Sequence, residues 1–169
     1  MLTPTTLLLG SLPTSPTASS ADEPQTSKAP DETAIHVTPL ANKSYRIQVG
    51  RHTLTIDQPN SGGGEDLGPR PTELFVAGLA GCVAHYAGSY LARHDVPADG
   101  LAVDADFVMA DEAPARIASV TVTITPPVGL PENRRAGLLA VASHCTLHNT
   151  LHQAPSVDIS LSERRQEAA

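Results

Sequence analysis

Chemistry in this chain centres on its only two cysteines, Cys82 and Cys145. A free thiol has a pKa of about 8.5 and attacks efficiently only as the thiolate. Cys82 lies in "PTELFVAGLAGCVAHYAGSY" (71–90), a helical segment with no charge after Glu73, too deep in the helix for the dipole to lower its pKa. It therefore needs a cationic neighbour, and Arg46, Arg51 and Arg70 on the preceding strands and loop are the candidates. If the two thiols meet, a thiolate can attack an oxidant, become a sulfenic acid and condense with its neighbour, which is the cycle of a thiol peroxidase. If they do not, they are small apolar residues of a core.

A second constellation competes. "CVAH" and "CTLH" pair Cys82 with His85 and Cys145 with His148, and residues three apart share a helix face, so four zinc-type ligands are available. The short knuckle usual in structural zinc sites is missing, and the expectation is no metal. His144, His148 and His152 are then proton-shuttling groups near the thiols or partly exposed helix histidines.

The positioning elements follow from periodicity. "TAIHVTPL" (33–40), "KSYRIQV" (43–49) and "HTLTID" (52–57) are rich in Val, Ile, Thr and Tyr and predict a three-stranded antiparallel meander. The Gly-rich segment 58–70 predicts a mobile loop. Pro71 suits the first turn of a helix, Glu73 complements its dipole, and the apolar spacing carries that helix to about His94. Apolar on nearly every side, the helix should be buried. Gly78, Gly81 and Gly88 cost about 1 kcal/mol each relative to Ala, which predicts close approach of a second helix or a partner subunit.

Residues 101–110 and 115–127 predict an antiparallel strand pair. A second helix opens at Pro131 and places Leu138, Val141, Ala142 and Cys145 on one inward face. "SVDISL" (156–161) alternates Val157, Ile159 and Leu161 and predicts a last strand. The order βββαββαβ is α+β.

At 169 residues the chain fits one domain with tails. Only 3% of it is aromatic, so the core must be built from Ala, Val, Leu and Ile. A net charge of −7 disfavours nucleic acid. No membrane association is expected, because no apolar run approaches the ~18 residues of a span. Residues 1–32, rich in Pro, Ser and Thr, read as a disordered tail; Leu7–Leu9 have no Lys or Arg ahead of them, which argues against an export signal. The folded domain is expected over 33–162 and a polar C-terminal tail over 163–169. Two cysteines are too few for a disulfide scaffold and fit a cytoplasmic protein with reduced thiols.

"GGGEDLGPRPTELFVAGLAGC" (62–82), followed by "HCTLHNTL" (144–151), closely resembles the OsmC/Ohr family of osmotically induced and organic hydroperoxide resistance proteins. The resemblance runs from about residue 35 to 162. It implies an intertwined homodimer with antiparallel sheets around two long central helices and sites at the subunit interface. It also implies that Cys82 is the peroxidatic nucleophile and Cys145 the resolving thiol. The substrates would be organic hydroperoxides and the reductant a dithiol of the lipoyl type, with no cofactor. Leu74, Phe75, Leu79 and Tyr86 would line the apolar approach. Where the family's peroxidases carry a glutamate directly after the proline, this chain has Thr72, with Glu73 one position later, and Arg51 and Arg70 are both candidates for the activating arginine. A dimeric protein binding an apolar small molecule at its interface is the alternative.

Overall fold

In a computed structural model describing residues 34–162, the β-branched stretches that open the chain form β1 (Ile35–Pro39), β2 (Tyr45–Val49) and β3 (His52–Ile56). They pair antiparallel in chain order, with Ile47 opposite both Val37 and Leu54. Next come α1 (Pro71–Arg93), an antiparallel pair of β4 (Ala102–Met109) and β5 (Ile117–Thr125), then α2 (Glu132–Ala142) and α3 (Thr146–His152). The expected α+β class holds. The tails expected over 1–32 and 163–169 lie outside the described residues, as does residue 33.

The core forms where α1 crosses the β4–β5 pair and α2. Val76, Leu79, Val83, Ala87, Tyr90 and Leu91 are its buried residues, spaced by the three and four that keep side chains on one helix face. Leu138, Ala142 and Cys145 meet them from the other side, and Val103, Val120, Val122 and Ile124 pack against the cluster from the strands. At the α1–α2 crossing a Cβ added to Gly137 would run into the Tyr90 ring, whose hydroxyl donates to the Arg134 carbonyl at 3.2 Å. Over 18 residues α1 has a mean hydropathy of 1.4, so by length and composition it could cross a bilayer. That corrects the reading that no run approaches a span, although the packing described above makes α1 the core helix of this fold.

Four expectations change. The helix expected from Pro131 through Cys145 is two helices, because Cys145 takes an extended backbone (φ −64°, ψ 155°) and becomes the N-cap of α3. The last strand is not formed: residues 154–162 carry no regular structure, and Val157, Ile159 and Leu161 are exposed. A strand needs an edge to pair with, and this segment pairs with none among the described residues. The helix expected to be buried all round leaves Phe75, Ala77, Gly78, Gly81 and His85 exposed. The Gly-rich loop is tied down instead of loose. Buried Asp57 accepts the backbone N–H groups of Gln58 at 2.7 Å, Glu65 at 2.9 Å and Leu67 at 3.2 Å. A Cβ at Gly64 or Gly68 would collide with the carbonyls of Gln58 or Thr55.

The candidate thiol site

Cys82 sits midway along α1, and Cys145 caps α3 against it. Cys145 is fully buried, whereas Cys82 is partly exposed and packs on the cluster that contains Cys145. Burial pushes the Cys145 thiol above its ordinary pKa; the N–H of His148, 3.4 Å from Sγ, opposes this, and the neighbouring Cys82 thiol adds to it. The two sulfurs are therefore close neighbours with unequal access to solvent. Tyr86, one helical turn beyond Cys82, shares a 2.9 Å hydrogen bond with Thr146, the residue after Cys145, and this ties the two cysteine-bearing elements together.

Arg70 and Glu73 sit together at the start of α1. The Glu73 carboxylate accepts the Arg70 backbone N–H at 2.8 Å and the guanidinium Nε at 2.9 Å, closing the N-terminus of the helix. The side-chain bonds to Arg70 hold Glu73 below the usual carboxylate range, and Glu73 in turn raises Arg70. Nine residues separate Glu73 from Cys82, a rise of about 13 Å along the axis. Arg51 is exposed between β2 and β3. Among the described residues neither Arg70 nor Arg51 hydrogen-bonds to Cys82.

A cavity of about 800 Å³ runs between α1, β5 and the α2–α3 junction. Phe75 and Leu79 line it with Thr72 at its edge, while Leu74 and Tyr86 do not line it, and neither cysteine does. The CxxH quartet does not converge: His85 points out on the open side of α1, and among the described residues no group of three or more His, Cys, Asp or Glu is placed to hold a metal.

The sequence reading missed Asp57 as the organiser of the loop before α1 and missed the cap that breaks the second helix. An Asp at a strand end ahead of Pro-Asn and Gly-rich residues is a turn signal that could have marked the first. Nothing comparable marked the second, because Cys is not among the residues favoured at N-caps.

The sequence model of the OsmC-like protein family matches residues 62–160, which span the Gly-rich loop, α1, both cysteines and α3. This chain belongs to the OsmC-like family. Solved structures agree on the fold. A protein of Psychrobacter arcticus superposes with a TM-score of 0.64 at 21% identity, covering 70% of this chain and 87% of its own. The OsmC-like protein of Mycoplasma pneumoniae gives 0.63 at 15% identity, covering 74% and 90%. The organic hydroperoxide resistance protein OsmC of Legionella pneumophila gives 0.56 at 20% identity, covering 73% and 91%. No curated protein is a significant match to the sequence.

Proposed function

We propose that this protein reduces organic hydroperoxides through Cys82 and Cys145 in defence against oxidative stress. The observation that carries the reading is a partly exposed thiol packed on the cluster that holds a fully buried one. The exposed Cys82 thiolate attacks the outer peroxide oxygen; the O–O bond breaks, Cys82 becomes a sulfenic acid, and the alkoxide leaves and takes a proton as the alcohol. Cys145 then attacks the Cys82 sulfur, water departs, and a Cys82–Cys145 disulfide remains. A dithiol of the lipoyl type returns two electrons and two protons by thiol–disulfide exchange. The cycle starts from reduced thiols, the state a cytoplasmic protein would keep.

The working unit is a homodimer. Three features support it: the exposed glycine side of α1, the apolar residues left uncovered on the meander, and the unpaired segment around Ile159. Arg51 and Arg70 are both candidates to lower the pKa of the Cys82 thiolate. Turnover with cumene hydroperoxide and a dithiol tests the proposal: Cys82→Ser should abolish it, while Cys145→Ser should retain it under excess small thiol. Full activity of Cys82→Ser would sink it. A second reading, a binding protein for an apolar small molecule, draws support from the cavity that neither cysteine lines. It gains ground if no Cys82 sulfenate can be trapped.

A further inference from the structure

Two imidazoles outside the thiol site meet on α3. His148 and His152, one turn apart, bring their Nε2 atoms to 3.2 Å with the rings nearly perpendicular. Together with His144 and Asn149 they line an open depression of about 430 Å³ at the α2–α3 junction.

We propose that His148 and His152 form a binding site for a divalent transition-metal cation of the zinc or nickel class. Zinc–imidazole bonds of about 2.05 Å at a tetrahedral angle separate the two ligand nitrogens by about 3.3 Å, so the present spacing already matches the bite. Residues four apart on a helix offer both rings from one face without backbone movement. In the empty pair one proton must lie between the two Nε2 atoms. When the cation takes its place, the proton moves to Nδ1 of the ring that donated it; Nδ1 of His148 is buried and has no hydrogen-bond partner. The His152–His148 hydrogen bond is given up to the cation, and an N–H at the buried His148 Nδ1 gains no acceptor, which keeps the affinity moderate.

His144 is a further imidazole at the depression, though it is not placed with the pair as a third ligand. Its Nδ1 donates to the Ala140 carbonyl at 2.8 Å, which leaves the lone pair on Nε2, and a carbonyl holding the far ring nitrogen is a common support for metal-bound histidines. It lines the same depression, but bringing it to the metal would give up this bond, so water completes the shell. Imidazole ligands favour zinc, nickel and copper over the harder magnesium and calcium.

Calorimetric titration of the reduced full-length protein with zinc alone tests this. One-to-one binding is expected in the wild type and in Cys82→Ser, with affinity lower by about tenfold or more in His152→Asn. His152 is exposed, so that variant should fold, and an unchanged circular dichroism spectrum checks this. Magnesium should not bind. Absence of zinc binding, equal binding by His152→Asn, or its loss in Cys82→Ser would each overturn the site. Because Cys82→Ser lacks the thiol cycle, failure here is separable from failure of the peroxidase reading.

Discussion

Tyr86 Oη and Thr146 Oγ1 lie 2.9 Å apart and form a staple between the helix that carries Cys82 and the helix that Cys145 caps. The bond holds the two sulfurs in register although they come from separate elements. Tyr86→Phe keeps the ring and removes the bond, so stability should fall by about 0.5–1.5 kcal/mol, towards the lower end because the bond is exposed. The Cys82–Cys145 disulfide should also form more slowly. Urea denaturation and timed quenching after peroxide addition measure the two effects.

The asymmetry between the thiols predicts their labelling. Iodoacetamide should modify Cys82 well before Cys145, and Cys145 should require a higher pH than an unperturbed thiol because burial raises its pKa. The sign for stability follows. A thiol that ionises less readily in the fold than in the unfolded chain contributes stability below about pH 8.5, and the contribution is lost as pH rises through the folded value. Peptide mapping of labelled protein from pH 7 upward reads the order directly; equal rates would argue against a buried Cys145.

Asp57 holds the loop that leads into α1. Burial pushes its carboxyl up, and the N–H groups of Glu65, Gln58 and Leu67 more than offset this, so its pKa ends below the ordinary range. Its contribution is therefore present above about pH 4, the unfolded value, and is lost as pH falls through the folded value. Asp57→Ala should lower Tm by several degrees at neutral pH and reduce the acid-dependent part of the wild-type melting curve, leaving the share contributed by Glu73. Gly64→Ala should act in the same direction, since a Cβ there meets the Gln58 carbonyl. Thermal melts between pH 3 and 7 test both.

The open glycines of α1 give a prediction whose sign depends on assembly. A Cβ at Gly81 meets nothing within 4 Å in the single chain, so Gly81→Ala would stabilise an isolated monomer by about 1 kcal/mol. If a second copy covers this face, the same substitution weakens the dimer. The homodimer proposal predicts weakening, seen as a concentration-dependent shift towards monomer in analytical ultracentrifugation.

Much of this architecture was readable from local signals. Pro71 and Glu73 marked the start of α1, and its end at Arg93 falls one residue from the expected position, because capping and periodicity are properties of the segment itself. The meander and the β4–β5 pair were readable for the same reason. The alternating Val157, Ile159 and Leu161 misled, because alternation reports a preference for pairing and not the presence of an edge to pair with. The break at Cys145 was hidden because an apolar-looking thiol took the capping position. Cys82 and Cys145 stand out by their rarity and setting, while their pairing comes from the family resemblance; the Arg70–Glu73 closure, the Tyr86–Thr146 staple and the absence of both cysteines from the large cavity depend on side-chain packing that spacing does not encode.

Intact-mass and peptide mass spectrometry of the reduced protein after one equivalent of cumene hydroperoxide tests the central claim most directly. Loss of two hydrogens with a Cys82–Cys145 cross-linked peptide is the expected result. Persistence of both free thiols, or a disulfide formed only between chains, would contradict it.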